Sequence, residues 1–162
     1  MTQRILVVED SRTQAERLRL LLIREGYEIE VARTGREGLV KVKPTSPDLI
    51  ISDVTMPEMD GFEFCRALKS SEATSGVPVI LLTARASPAD IIKGLECGAD
   101  NFIPKPYADE YLLERIRRIF EQLEHRVRGR PEMEVNLTVG GSKITVSADR
   151  QTLIQQERWA SR

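Results

Sequence analysis

The sequence predicts an α/β protein: a doubly wound sheet of five parallel strands, followed by a C-terminal β-hairpin and short helix. Three observations carry this. Short apolar runs rich in β-branched residues alternate with segments of helical periodicity over residues 1–125. Glycine, proline and small polar residues punctuate the changeovers. The last 37 residues abandon the pattern and show a two-residue period instead.

The elements follow in order. "RILVVED" is an apolar run, Ile5 to Val8, that stops at Glu9 and Asp10, as a buried strand would. "SRTQAERLRLLLIREG" places Ala15, Leu18, Leu21 and Leu22 at helical spacing and ends at Gly26, a residue suited to a left-handed terminus. "YEIEVA" is a second strand. "TGREGLVKVK" is a short helix with Thr34 as its N-cap. "DLIISD" is a third strand, and "GFEFCRALKSS" a helix with Phe62, Cys65 and Leu68 on one face. "VPVILLTA" is a fourth strand, with Pro78 near its start, where a missing N–H matters least. "SPADIIKGLECGA" starts with Ser87 as N-cap and Pro88 at the first helical position. "NFI" is a very short fifth strand. "YADEYLLERIRRIFEQLEHRV" closes the series as a long helix with Leu112, Ile116, Ile119 and Leu123 as its stripe. Strands alternating with helices imply parallel pairing with helices on both faces.

Composition bounds the rest. Hydrophobic residues make up 41% and charged residues 30%, ordinary for a globular protein that buries a core. The net charge is −1. Residues 1–125 carry 17 basic and 21 acidic side chains, and the remainder 7 and 4. That bias is too weak for a nucleic-acid footprint, so no direct DNA binding is expected. Cys65 and Cys97 have neither CxxC spacing nor histidine neighbours and read as reduced thiols. No apolar run approaches the roughly 18–20 residues that span a bilayer, so no membrane span is expected. The N-terminus meets acidic residues too early for a secretory signal. A cytoplasmic protein is the expectation.

One stretch, "SPDLIISDVTMPEMDG" at 46–61, runs a buried strand into a carboxylate and then breaks it with Pro57, two acids and a glycine. In doubly wound sheets, sites form beyond the carboxyl ends of the strands. There the chain places Glu9 and Asp10 after strand one, Asp53 after strand three, Thr83 and Ala84 after strand four, and Lys105–Pro106 after strand five. Singly, each has an ordinary reading as a cap, a β-former or a surface lysine. Jointly, they crowd three carboxylates at one edge. Two like charges 4 Å apart cost roughly 4 kcal/mol at an effective dielectric near 20. A hard divalent cation would offset that, and Mg²⁺ binds through one or two carboxylates with phosphate oxygens and waters. A carboxylate fixed beside it is a nucleophile toward phosphorus; Lys105 would neutralise phosphoryl oxygens and Thr83 would donate to one.

The motifs "VVEDS", "PDLIISDVTMPEMDGFEF", "VPVILLTA" and "GADNFIPKPY" together resemble the receiver domain of two-component response regulators, over residues 4 to about 122. The resemblance implies a flavodoxin-like strand order, 2-1-3-4-5. It implies that Asp53 accepts a phosphoryl group from the phosphohistidine of a sensor histidine kinase. Asp10, Asp53 and the backbone carbonyl of Thr55 would bind Mg²⁺, and Glu9 would act through a water. Lys105, Thr83, Ala84 and Val54 would hold the phosphoryl group, and the bond before Pro106 would be cis. Thr83 and Phe102 would switch together, biasing the face made by helix four, strand five and helix five toward a partner or a homodimer. The chain would phosphorylate and dephosphorylate itself without turning over an external substrate. Pro104, just before Lys105, departs from the common pattern and stiffens the loop.

The segments divide as a receiver over 1–125, a linker over 126–133, and a hairpin with a short helix over 134–162. Val135, Leu137 and Val139 alternate, then Gly140–Gly141, then Ile144 and Val146: a hairpin signal. Ser147 or Asp149 would cap a terminal helix through Leu153, Ile154 and Trp159. An isolated hairpin is marginal in water, so it should pack on the receiver or on a second copy. The segment weakly resembles the connector that follows receivers in hybrid sensor kinases. His125, the single histidine, has no kinase-like acidic partner after it and is not expected to accept phosphate.

Competing readings fare worse. An aspartate-nucleophile phosphatase of the haloacid dehalogenase type needs a second Asp where Thr55 stands. A flavin site needs a phosphate-cradling loop where Glu9 and Asp10 stand. A phosphorylation-independent scaffold has no need of the acid set.

Overall fold

The computed structural model describes residues 2–124, 132–139 and 142–149. Five strands, β1 (Arg4–Val8), β2 (Glu28–Ala32), β3 (Leu49–Asp53), β4 (Val79–Thr83) and β5 (Asn101–Pro104), alternate with helices α1 (Arg12–Arg24), α2 (Gly35–Thr45), α3 (Gly61–Lys69), α4 (Pro88–Cys97) and α5 (Asp109–Glu124). These strands lie parallel in the order β2-β1-β3-β4-β5. The sequence reading anticipated this order.

The apolar runs make the sheet its own core. Residues Ile5 to Val8, Leu49 to Ile51 and Val79 to Leu82 are almost completely buried. Alternate residues feed two layers. Leu6, Val8, Ile50 and Leu81 join Phe62, Phe64, Leu68 and Leu95 under α3 and α4. Ile5, Val7, Ile51 and Ile80 join Leu18, Leu22, Leu112 and Ile116 under α1 and α5. Each fully buried side chain of this size is worth about 1.5–3 kcal/mol, so the strand ends that carry the acids are anchored from both sides.

The caps sit where expected. Thr34 and Ser87 accept from the N–H groups of Glu37 and Asp90, and Gly26 and Gly98 adopt φ of 94° and 91°. Helix α2 runs further than the sequence suggested, to Thr45, with Pro44 inside its last turn and Ser46 left-handed at its end. Cys65 and Cys97 are buried thiols, donating to the carbonyls of Cys97 and Gly94.

Two further strands, β6 (Glu132–Val139) and β7 (Ser142–Asp149), pair antiparallel from Glu132 opposite Asp149 to Val139 opposite Ser142. β6 runs parallel beside β5, with Asn101 opposite Glu134 and Phe102 opposite Val135. The unit β5–α5–β6 is thus a further crossover of the kind that builds the rest of the sheet. Residues 132 and 133, read as linker, are strand residues. Ser147 and Asp149, read as helix caps, are strand residues opposite Glu134 and Glu132: alternation continues through Ala148, and cross-strand pairing outweighs a local cap. The terminal helix of the sequence reading lies outside the described residues.

Candidate functional site

β1 and β3 end side by side, Val8 opposite Ser52, so Glu9, Asp10 and Asp53 leave the sheet together. One carboxylate oxygen of each lies within 4.8 Å of the others. Glu9 and Asp53 are buried and Asp10 is exposed. The Lys105 ammonium stands 3.4 Å from Asp53 Oδ2 and 3.8 Å from Glu9 Oε2. Three acids against one base leave a net negative cluster, the donor set a hard divalent cation takes.

The turn after Asp53 explains the proline- and glycine-rich stretch. The Gly61 N–H donates to the Val54 carbonyl at 2.8 Å, and Asp60 caps α3 with Glu63 in a reciprocal capping box. A Cβ at residue 61 would lie 2.3 Å from the Asp53 carbonyl oxygen. Only glycine lets α3 start directly over the strand end that carries Asp53.

The other residues singled out from sequence lie on β4 and β5 and in the turns that follow β3, β4 and β5. The Lys105 N–H donates to the Thr83 carbonyl at 2.7 Å, and the Lys105–Pro106 bond is cis. The Thr83 hydroxyl is engaged with a neighbour's backbone: it accepts from the Arg85 N–H at 2.7 Å and donates to the Arg85 carbonyl at 2.9 Å. Ala84 and Thr55 are exposed, and Val54 is buried. Phe102 is fully buried, stacked on Phe62 at 6.3 Å between ring centroids. It lies against α4 at Gly94, where a Cβ would come within 2.8 Å of its ring.

Sequence reasoning missed Gln14. Its side-chain oxygen accepts from the Lys105 ammonium at 2.8 Å, closer than either acid. Gln14 stands four residues after Asp10, one helical turn, and that spacing was the available signal. Arg85 donates to the buried carboxylate of Asp90 at 2.9 Å and ties the loop after β4 to α4.

Glu9 is pushed up to about 7, first by burial and then by the charge of Asp53, against the Ser11 N–H and Lys105. Its proton is held more tightly folded than unfolded. The stabilisation this gives is complete below the ordinary carboxylate range and is lost as pH rises through about 7. A cation needs the ionised form. Mg²⁺ should therefore raise the melting temperature more at pH 8 than at pH 6, a difference thermal denaturation reads directly. Equal shifts at both pH values would contradict the participation of Glu9.

The fold and this acid cluster define a class of doubly wound α/β modules with an acidic site at the sheet edge, and comparison with known proteins names the family. Residues 5–117 match the response regulator receiver domain; the chain belongs to that family. It is 43% identical over 122 residues to the response regulator MprA of Mycolicibacterium vanbaalenii, covering 75% of this chain and 52% of the relative. It is 37% identical over 152 residues to the DNA-binding response regulator MtrA of Mycolicibacterium smegmatis, covering 94% of this chain and 63% of the relative. The chain thus spans half to two thirds of the length of these relatives. Among solved structures it resembles the receiver domain of a signal transduction histidine kinase from Syntrophus aciditrophicus, at 44% identity and TM-score 0.72, covering 86% of this chain and 99% of that one. It also resembles the chemotaxis protein CheY4 of Vibrio cholerae, at 36% identity and TM-score 0.70, covering 74% and 99%.

These relatives correct one expectation. The expected absence of direct DNA binding rests on the weak charge bias of the C-terminal segment. MtrA, similar over nearly all of this chain, is a DNA-binding response regulator. Net charge weighs only the residues at hand, and DNA contact in a relative longer than the match does not register there. Among the described residues no helix is long and apolar enough to cross a membrane.

Proposed function

We propose that Asp53 accepts a phosphoryl group from the phosphohistidine of a sensor histidine kinase, in a Mg²⁺-dependent reaction in the cytoplasm. The observation that carries this is the meeting of Glu9, Asp10, Asp53 and Lys105 at one sheet edge in a receiver-family chain. An Asp53 carboxylate oxygen forms the new O–P bond as the N–P bond of the phosphoimidazole breaks. The electron pair stays on the imidazole nitrogen, which then takes up a proton. Asp10, Asp53 and the Thr55 carbonyl would hold Mg²⁺, with Glu9 acting through water. Bound there, Mg²⁺ would neutralise the acids and the charge developing on the phosphoryl oxygens. Lys105 leaves Gln14 and Glu9 to pair with those oxygens. Ala84 offers a backbone N–H group, the Val54 N–H would have to leave the Leu82 carbonyl to which it donates at 2.9 Å, and Thr83 trades Arg85 for a phosphoryl oxygen. No external substrate is turned over.

The same step serves two outputs. The likeness to a histidine kinase's receiver supports a module of a hybrid kinase. The likeness to MtrA supports control of DNA binding.

Intact-mass spectrometry after incubation with a small phosphodonor tests the reading. One phosphoryl group should be added with Mg²⁺ present and none with a chelator. Uptake indifferent to the metal would sink it.

A further inference from the structure

Three observations at β5 concern the edge of the sheet that the proposed switch would move. First, β5 and β6 pair at only two positions, Asn101–Glu134 and Phe102–Val135, whereas β6 and β7 pair at eight. The hairpin is held together far better than it is held to the receiver.

Second, the chemistry of β5 stops the pairing. Successive N–H groups along a strand point to opposite edges. The Lys105 N–H points to β4, where it donates to the Thr83 carbonyl. Position 104 therefore faces β6, and Pro104 has no N–H to give. The departure from the family pattern noted in the sequence removes the next rung of the β5–β6 ladder.

Third, the junction has a polar atom without a partner among the described residues. Asn101, directly opposite Glu134, is 2% exposed, and its side-chain oxygen has no hydrogen-bond partner among them. Water would satisfy it if the edge opened. Closed pairing here is thus weak by construction, and weakly paired segments are the ones that open locally.

The same strand carries the proposed switch. Thr83 is the register partner of Pro104, and Leu81 of Phe102. This pairing and the Lys105 N–H bond to the Thr83 carbonyl are the route by which a backbone shift at Thr83 would reach β5, whose other edge holds the hairpin. We propose that the β6–β7 hairpin is a displaceable cover over the free edge of β5, released when Asp53 is phosphorylated. This rests on the phosphoryl-acceptor reading above.

Amide hydrogen exchange on the full chain, before and after phosphodonor and Mg²⁺, tests this, with intact mass measured on the same samples. Residues 101–102 and 134–136 should be protected in the unmodified chain. After phosphoryl addition they should exchange at least about tenfold faster, while β1 and β3 hold. Pro104→Ala restores the missing donor. It should slow exchange at β6 in the unmodified chain and reduce the release. Asn101→Leu removes the unpaired oxygen and should act in the same direction, at a distance from Lys105. Phosphoryl addition with unchanged exchange at β5 and β6 would overturn the cover and leave the acceptor reading standing. Absence of phosphoryl addition would overturn both.

Discussion

Asp53→Asn is expected to abolish phosphoryl uptake while leaving the metal-free protein at least as stable as the wild type. The two effects run in opposite directions for one reason. Asp53 is buried against Glu9 and Asp10, with only Lys105 to balance three carboxylates. At an effective dielectric near 20, each like-charge pair at such separations costs roughly 3–4 kcal/mol. The amide keeps the shape and removes one charge, so Lys105 is left facing two acids, Glu9 and Asp10, instead of three. The charge of Asp53 also raises the proton affinity of Glu9, so Glu9 should titrate lower in the variant. Yet the amide is no nucleophile toward phosphorus and is a poorer ligand for a hard cation. Intact mass should show no adduct, and thermal denaturation in chelator should show no loss of melting temperature. A variant that still took up phosphate would remove Asp53 from its role. One that simply unfolded would show the carboxylate to be structural.

Gly61→Ala should lower stability by about 1–3 kcal/mol, the usual cost of forcing an added group into filled space. The clash is with backbone: the new Cβ would meet the Asp53 carbonyl at 2.3 Å and the Val54 Cα at 2.8 Å. Neither is a flexible tip, so α3 or the end of β3 has to shift. Because the atom displaced belongs to Asp53, phosphoryl uptake should slow as well, beyond what the unfolded fraction explains. Gly76→Ala is the control, since nothing lies within 4 Å of a Cβ there. Urea denaturation and uptake rates on the two variants separate these effects. Equal behaviour of both would show that the turn accommodates a side chain without moving Asp53.

The sheet was legible because its signals are local. Ile5–Val8, Leu49–Ile51 and Val79–Leu82 are buried on both faces, so they read as unbroken apolar runs, and Thr34 and Ser87 carry their caps in the sequence. The acids and Lys105 were legible as a set because a doubly wound sheet brings the ends of its strands to one edge. Gln14 was not, because a neutral side chain carries no charge signal and its contact with Lys105 spans 91 residues. The hairpin was visible as an alternation around Gly140–Gly141, but its attachment to β5 was not, since two register pairs leave no periodic trace. Pro104 read as a stiffened loop residue. Its effect is on the ladder, and depends on which way an N–H would have pointed.

The central claim is that the phosphoryl group resides on Asp53 as an acyl phosphate. The most direct measurement is borohydride reduction of the phosphorylated chain, followed by peptide mapping. An acyl phosphate is cleaved to the alcohol, so aspartate at residue 53 should be converted to homoserine only after treatment with phosphodonor and Mg²⁺. Conversion at Asp10, or a phosphoryl group that resists reduction and maps elsewhere, would contradict the account.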